Sequence, residues 1–416
     1  MKLNSVLKEL DFELDDVEFN EVKEKTANLL SQLKESIKKL RINVDVFVGG
    51  SFAKGTLIKE KGYDVDIFIR FKEEKNLDSI EKIIKKLKYE KVHGSRDYFR
   101  IIDNELRFEI IPVLKISNPK QAKNVTDLSY FHVNYVKKKI NPRIAREIAL
   151  TKAFFKASGV YGAESYIRGI SGYGVECLLI YYKTFEKMAK AIVNSKEDEK
   201  IIIDIDRTYK NKQDLMIDMN ESKSGGPMIL VDPTYKERNV LAALSKETFL
   251  KLREDLKKFL ASPNAKYFET KELDVEKIKE QAKKKKLEFL TVNLKTDRQE
   301  GDIAGTKLKK FSLYLEEEIR KYYKIIRDEF VYDEAQQGKL YLIVKPNKEF
   351  IKVGPPLKMK SECSAFKSQN KSTFVKSGRL YSKIAITFSC KSFLNDFKLK
   401  YADKIASMDV KEIRVD

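Results

Sequence analysis

Residues 44–71 read VDVFVGGSFAKGTLIKEKGYDVDIFIRF, and this stretch decides the fold of the first part of the chain. Its β-branched apolar opening, residues 44–48, predicts a buried strand. The strand stops at residues 49–51, Gly-Gly-Ser, a turn whose backbone can come close to a ligand. The exposed N–H groups of this turn, the Ser51 hydroxyl and the Lys54 ammonium could together bind a phosphate.

A second strand, residues 64–71, opens with two carboxylates, Asp64 and Asp66. The i, i+2 spacing places both on one face of the strand, roughly 7 Å apart, while the intervening apolar residues point into a core. A Gly-Gly-Ser turn alone is usually only a turn, and an Asp-x-Asp pair alone is usually a solvated strand face. Together they predict a divalent-metal site for phosphoryl chemistry.

A third acid follows in residues 92–114, which predict two strands joined near Asp103-Asn104. Glu109 lies in the second of these strands between apolar neighbours, and we expect Pro112 to end the regular pairing of that strand. Such an acid either faces water or binds a ligand. Because the metal site needs a third carboxylate, we predict that Glu109 is a ligand.

The charge of the chain indicates a polyanionic partner. Among 416 residues, 83 Lys and Arg outnumber 63 Asp and Glu, which gives a net charge of +20. A surplus of this size favours nucleic acid, whereas a Lys/Glu-rich proteome would raise both signs of charge. The basic run at residues 283–286 is either a solvated face or part of an RNA backbone track.

Membrane insertion and disulfide chemistry are not expected. No apolar run approaches the 18 or so residues that span a bilayer, and residues 1–20 lack a signal-peptide pattern. Cys177, Cys363 and Cys390 are far apart and form no C-x-x-C pair, so they suggest neither a zinc site nor a disulfide framework. We expect a cytoplasmic protein.

Helical and extended segments indicate an α+β fold of several domains. Periodic apolar residues predict helices over residues 17–40, 77–88 and 306–329, with Asp15 or Asp16 as the cap of the first. The segment 228–245 predicts a short strand, a turn at Asp232-Pro233 and a helix opening at Arg238-Asn239. We expect a mixed-sheet catalytic domain (1–140), a mainly helical central domain (141–264) and an α/β C-terminal region (265–416).

These motifs resemble the nucleotidyltransferase superfamily of the DNA polymerase β type. The resemblance rests on the Gly50-Ser51 loop, Gly55-Thr56, the Asp64-Val65-Asp66 pair and the later acid-bearing strand. Within that superfamily the chain resembles the class I archaeal CCA-adding enzymes. That narrower likeness rests on SYFHVNYV around His132, on residues 156–176, on VDPTYKERNVLAALS from Val231, and on Gly354-Pro355-Pro356.

The resemblance implies template-independent addition of C, C and A to the 3′ end of tRNA, with CTP and ATP as substrates. It implies two Mg²⁺ ions held by Asp64, Asp66 and the acid of the third strand. It implies that domain 1–140 is catalytic, that 141–264 binds nucleotide, and that 265–416 holds the acceptor stem and elbow of tRNA. Contacts to the nucleotide are implied for Gly50, Ser51, Lys54, His132, Lys152, Tyr161 and Arg238, the last of these at the base edge.

One position departs from the family pattern. The family has Asp in the third strand, where this sequence has Glu109, one methylene longer. Misplacement by roughly 1 Å can cost on the order of 10²-fold in such chemistry. We expect the strand to shift and compensate; otherwise Glu105 or Asp103 serves as the ligand, or the enzyme is slow.

Two other functions stay open at this point. One is a poly(A)-adding or A-only nucleotidyltransferase, which would differ in whether CTP is incorporated. The other is a non-catalytic tRNA-binding protein on the same scaffold, against which the presence of both Asp64 and Asp66 argues. The oligomeric state is also open, because the apolar, Tyr-rich helical block is compatible with a homodimer interface or with a core.

Overall fold

In a computed structural model, which describes residues 3–59, 62–94, 96–196, 199–270 and 273–416, the predicted acids lie on a five-stranded sheet. The strand order is β1-β2-β5-β4-β3, and only the β2–β5 pair is parallel. The sheet is therefore mixed, as expected. Its strands are β1 (Val44–Val48), β2 (Tyr63–Phe71), β3 (Glu90–Val92), β4 (Tyr98–Asp103) and β5 (Leu106–Leu114).

The parallel pairing sets which side chains are neighbours across the sheet. Asp66 lies opposite Glu109, and Asp64 lies opposite Arg107. The expectation that Pro112 ends the pairing is wrong: Pro112 lies opposite Ile69, and β5 continues to Leu114. Proline is tolerated within a ladder where its missing N–H is not required.

The helix over the sheet begins with a capping box. Asp15 accepts a hydrogen bond from the backbone N–H of Glu18, and the Glu18 side chain accepts one from the N–H of Asp15. Its apolar stripe packs with the buried face of β2, where Val65, Ile67 and Ile69 are fully buried. The first four helices of the chain are α1 (Leu3–Glu9), α2 (Asp16–Leu40), α3 (Gly50–Lys54) and α4 (Ile80–Ile84).

A helical region follows, with a core that includes Phe154, Phe185 and Phe259, all fully buried. Two glycines follow the helix Pro142–Ala157. Gly159 and Gly162 have positive φ angles of 64° and 124°, a conformation that other residues adopt at a cost. The helices are α5 (Ser129–Lys139), α6 (Pro142–Ala157), α7 (Gly172–Tyr182), α8 (Phe185–Asn194), α9 (Lys212–Asp218), α10 (Glu221–Ser224) and α11 (Lys246–Ala261).

A small three-stranded sheet lies within this helical region, in the order β6-β7-β8. The helix predicted to open at Arg238 is a strand instead, because Tyr235 and Asn239 pair with the preceding strand and the helix begins at Lys246. Its strands are β6 (Ile201–Ile203), β7 (Met228–Asp232) and β8 (Tyr235–Asn239).

Residues 273–416 form a second compact unit, separate from the unit of residues 1–272. It contains a four-stranded sheet in the order β10-β11-β9-β15 and a three-stranded sheet in the order β12-β14-β13. Its strands are β9 (Glu288–Lys295), β10 (Tyr323–Tyr332), β11 (Gln337–Pro346), β12 (Glu349–Pro356), β13 (Thr373–Lys376), β14 (Arg379–Ala385) and β15 (Glu412–Val415). Its helices are α12 (Val275–Lys284), α13 (Asp302–Arg320), α14 (Lys360–Gln369), α15 (Cys390–Lys400) and α16 (Ala402–Ser407).

Two predicted helices are shorter than expected. The helix predicted over 77–88 is a 3₁₀ turn, Glu74–Ser79, followed by the five residues of α4. The helix predicted over 306–329 ends at Arg320, and the alternation of the next residues forms β10. In the second place, pairing of residues 323–332 with the following strand decides between the helical and the strand pattern.

The remaining expectations concern membranes and domain limits. No helix within the described residues is long and apolar enough to cross a bilayer. All three cysteines are free and buried. The division of the first 272 residues into domains at residue 140 stays a prediction.

Candidate active site

The loop after β1 lies against the carboxylate of Asp66. The Gly49 N–H donates a hydrogen bond to the Asp66 carbonyl oxygen at 2.8 Å. Gly50 has a φ of +59°, and a Cβ atom added there would lie 1.6 Å from Asp66 Oδ2. Only glycine fits such a position, because any side chain would collide with the carboxylate and would also strain the backbone. The loop backbone and the acid thus form one site.

Asp66 and Glu109 both hold their protons more tightly than ordinary acids. Burial raises the pKa of Asp66 to about 6, helped by the charge of Asp64 and opposed by Lys54. Burial also raises the pKa of Glu109 to about 7, with added repulsion from Asp66 and Asp64. Carboxylates that repel one another in a poorly solvated site are a typical place for a divalent cation.

Two arginines that the sequence reasoning missed bind the outer acids. Arg107 holds Asp64 through two contacts, Nε to Oδ1 at 2.6 Å and a terminal nitrogen to Oδ2 at 3.3 Å. Arg100, directly opposite Glu109 on β4, donates to Glu109 Oε1 at 3.2 Å. Both arginines therefore neutralise carboxylates that a metal would otherwise neutralise.

The three acids supply the oxygen ligands that Mg²⁺ prefers. As the side chains lie, however, no group of three or more His, Cys, Asp or Glu among the described residues is placed to hold a metal ion. Asp66 and Glu109 are strand neighbours, whereas the carboxylate of Asp64 is turned to Arg107. The three acids would fit a divalent ion if the Asp64 carboxylate turned away from Arg107.

The alternative third ligands lie elsewhere. Asp103 ends β4 and forms an ion pair with Lys25 of α2 at 3.4 Å. Glu105 is in the hairpin turn, where its carbonyl oxygen accepts a hydrogen bond from Tyr63. The β2–β5 register brings Glu109 to Asp66, and it brings neither of these two acids there.

A buried ionic cluster lies between α3, α6 and α7. Lys54 donates to Glu176 Oε2 at 2.6 Å, and the Thr56 hydroxyl donates to Glu176 Oε1 at 2.8 Å. Lys152 donates to the Thr56 carbonyl oxygen at 2.8 Å and lies 3.7 Å from Glu176 Oε1. Burial lowers the pKa of Lys152 to about 8, opposed by Glu176. The two predicted phosphate ligands thus share one carboxylate.

A second buried carboxylate, Asp232, gathers other predicted residues. His132 Nε2 lies 3.2 Å from Asp232 Oδ2, and Arg238 donates to the same oxygen at 2.7 Å. Tyr173 donates to Asp232 Oδ1 at 3.0 Å, and its ring stacks on His132 with 3.9 Å between centroids. Burial lowers the pKa of His132, and the hydrogen bond and charge of Asp232 oppose this effect.

The last two predicted residues lie at the edges of this arrangement. Ser51 is in α3, and its carbonyl oxygen accepts a hydrogen bond from Thr56 at 2.9 Å. The Lys156 ammonium nitrogen lies over the Tyr161 ring, 4.9 Å from the ring centroid. The Tyr161 hydroxyl lies 2.8 Å from the position that a Cβ atom on Gly172 would occupy. Tyr161 thus contacts the α6 side of the site through Lys156.

Two family models of known proteins match separate parts of the chain. Residues 30–127 match the family model "Nucleotidyltransferase domain", and residues 146–269 match "tRNA nucleotidyltransferase, second domain". The CCA-adding enzyme of Nanoarchaeum equitans is 35% identical over 379 residues, which are 88% of this chain and 90% of that protein.

The chain belongs to the CCA-adding enzyme family.

Other family members align over different shares of their length. The CCA-adding enzyme of Methanocaldococcus jannaschii is 26% identical over 91% of this chain and 86% of its own. That of Methanosarcina mazei is 32% identical over 58% of this chain and 52% of its own. As a tRNA nucleotidyltransferase of the CCA-adding family, the protein is an enzyme that uses nucleotide substrates and a divalent metal ion.

Sequence reasoning found the acids and the loop of this CCA-adding enzyme but not their partners. Arg107 precedes Glu109 by two residues, so the alternation that pairs Asp64 with Asp66 also puts it on the acid face. Asp232 and Glu176 gave a weaker signal, because a turn aspartate and a helical glutamate are ordinary residues. Their burial became visible only in the fold.

Gly50→Ala tests the contact between loop and acid. We expect nucleotide addition to fall by at least about 100-fold, because the new methyl group must displace the Asp66 carboxylate or the loop. The measurement is the rate of CTP incorporation into a tRNA transcript that lacks its CCA end. Gly378→Ala is the control: its φ of +71° is similar, but nothing lies within 4 Å of the added carbon. Equal rates for the two variants would contradict the account.

Proposed function

We propose that this protein builds and repairs the 3′-terminal CCA of tRNA from CTP and ATP, without a nucleic-acid template and with release of pyrophosphate. The observation that carries the proposal is the parallel pairing that sets Glu109 beside Asp66 and the Gly50 loop, in a chain of the CCA-adding family. A degenerate binding protein would have no need to retain this costly cluster of acids.

Asp64, Asp66 and Glu109 would hold two Mg²⁺ ions. When bound, these ions supply charge neutralisation and Lewis-acid activation for phosphoryl transfer. The chain itself favours cation binding by these acids. Burial and mutual repulsion disfavour the ionised forms of Asp66 and Glu109 unless positive charge is supplied. Arg107 orients Asp64 through two contacts, and it must release at least one oxygen for the third carboxylate to join.

The nucleotide would bind between the loop and the helical region. Ser51, Lys54 and the backbone of Gly50 would contact its phosphates, and Lys152 would add positive charge from a buried position. His132 and Tyr161 would contact phosphate or sugar. Arg238 has a side chain 25% exposed while bound to Asp232, which supports its role at the base edge.

The tRNA would bind along basic surfaces. The net charge of +20 and the run at residues 283–286 support binding of the acceptor stem and the elbow by residues 265–416. Lys283 and Lys284 are the last residues of α12, and Lys358 and Lys360 lie at the start of α14. These basic residues therefore lie at helix ends. Salt should weaken this binding strongly.

Stepwise nucleotide addition tests the function. Transcripts that end before CCA, after C or after CC are offered CTP, ATP or both in Mg²⁺, and product lengths are read on a gel. We expect addition of C, C and A, followed by a halt. Addition of A alone would indicate an A-adding or poly(A)-adding enzyme instead. Tight tRNA binding with no addition by the parent would indicate a non-catalytic binding protein.

Thermal unfolding at two pH values tests the acid cluster. Both pKa values rise on folding, from 3.8 to about 6 and from 4.5 to about 7, so ionisation of these acids destabilises the native state as pH rises. A cation bound to the ionised acids reverses this effect. We therefore expect Mg²⁺ to raise the melting temperature by about 2 °C or more at about pH 8, and much less at about pH 5.

Two variants make this measurement specific. Asp66→Asn should abolish the Mg²⁺ effect at about pH 8, because the amide neither ionises nor repels Glu109. Glu254→Gln, which removes an exposed acid paired with Lys258, should leave the effect intact. A Mg²⁺ effect of the same size at both pH values would argue against metal binding by these acids.

A further inference from the structure

Glu176 is a charged side chain in a place where charge is costly. Its carboxylate on α7 is fully buried, and three groups surround it: the ammonium of Lys54, the hydroxyl of Thr56 and the ammonium of Lys152. Burial acts to raise the pKa of Glu176, but the two lysines outweigh burial and keep the pKa below its ordinary value. The acid is therefore ionised, and its cost of burial is offset by these partners.

The two lysines are held to different extents. Lys152 donates to both the carbonyl and the hydroxyl oxygens of Thr56 and lies 3.7 Å from Glu176, and its side chain keeps only 3% exposure. The bond to Glu176 uses one N–H group of Lys54, whose side chain keeps 9% exposure. Lys152 is thus an anchor, and Lys54 is the cation that can still donate to a ligand.

The cluster also joins the two parts of the active site. Lys54 and Thr56 lie in the matched nucleotidyltransferase domain, directly after the Gly50 loop, whereas Lys152 and Glu176 lie in the matched second domain. Lys54 acts on Asp66 as well, since its charge opposes the rise in the pKa of that acid. The position of one ammonium therefore depends on a carboxylate 122 residues away.

We infer that Glu176 is a positioning residue, which holds the Lys54 ammonium where it meets the triphosphate of the incoming nucleotide. This inference rests on the proposed function. Glu176 itself is fully enclosed and touches no solvent, so it can act on a ligand only through the groups around it, of which Lys54 keeps more exposure than Lys152. A lysine on a flexible four-carbon chain needs such a fixed partner, because a free ammonium samples many rotamers.

A purely structural role for Glu176 makes a different prediction. If Glu176 only connected the two domains, its replacement would lower stability and weaken the binding of every ligand alike. A positioning role through Lys54 would instead weaken binding of the β- and γ-phosphates and leave binding of the base and sugar unchanged. The ratio of CTP to CMP affinity separates these two roles.

The experiment measures binding of CTP and of CMP to the full chain in Mg²⁺, without tRNA. The variants are Glu176→Gln, Lys54→Met and the double variant, with Glu254→Gln as the control for loss of a glutamate. We expect Glu176→Gln to lose about 10-fold in CTP affinity, the worth of a charge-assisted hydrogen bond, and to keep the parent affinity for CMP. The double variant should bind CTP as Lys54→Met does.

Several results would overturn the inference. For Glu176→Gln these are a CTP affinity equal to that of the parent, equal losses of CTP and CMP affinity, or a loss that adds in full to that of Lys54→Met. If thermal melts show that Glu176→Gln does not fold, Glu176→Asp is measured by the same criteria, since it keeps the charge but withdraws it by one methylene. A parent that bound CTP no better than CMP would defeat the proposed function itself, and the inference with it.

Discussion

Repulsion between the carboxylates of Asp66 and Glu109 is the constraint on which the rest of the active site depends. The parallel β2–β5 register makes the two acids neighbours, and burial raises the pKa of both. Two acids in such a place ionise together only if positive charge is supplied. The Gly50 loop closes the site on one side, so that charge must come from the remaining directions.

The surrounding charges alternate in sign. Arg100 and Arg107 hold two of the acids, and Lys54 acts on the third. The cations proposed to contact the nucleotide are in turn held by buried acids, with Glu176 on the two lysines and Asp232 on Arg238. Each cation is thereby fixed in one position before a ligand arrives, which is the arrangement that lowers the reorganisation cost of phosphoryl transfer.

Local patterns predicted the parts of this site, and long-range pairing decided how they fit together. The period-2 alternation of β2 and the cap of α2 are short-range signals: the strand was predicted, and Asp15 was one of the two cap residues expected. The unbroken pairing at Pro112 depends on Ile69, a partner distant in sequence, and the strand at Arg238 depends on pairing with the preceding strand. The roles of Glu176 and Asp232 could not be predicted from local patterns either, because their partners Lys54 and His132 lie 122 and 100 residues away.

The identity of the third carboxylate is the most direct test of this account. The measurement is the single-turnover rate of CTP incorporation by Glu109→Gln and by its matched control Glu105→Gln, four residues away in the hairpin turn. The account predicts a loss of at least about 100-fold for Glu109→Gln and nearly the parent rate for Glu105→Gln. A Glu109→Gln enzyme as fast as the parent would contradict it, and so would a slow Glu105→Gln enzyme.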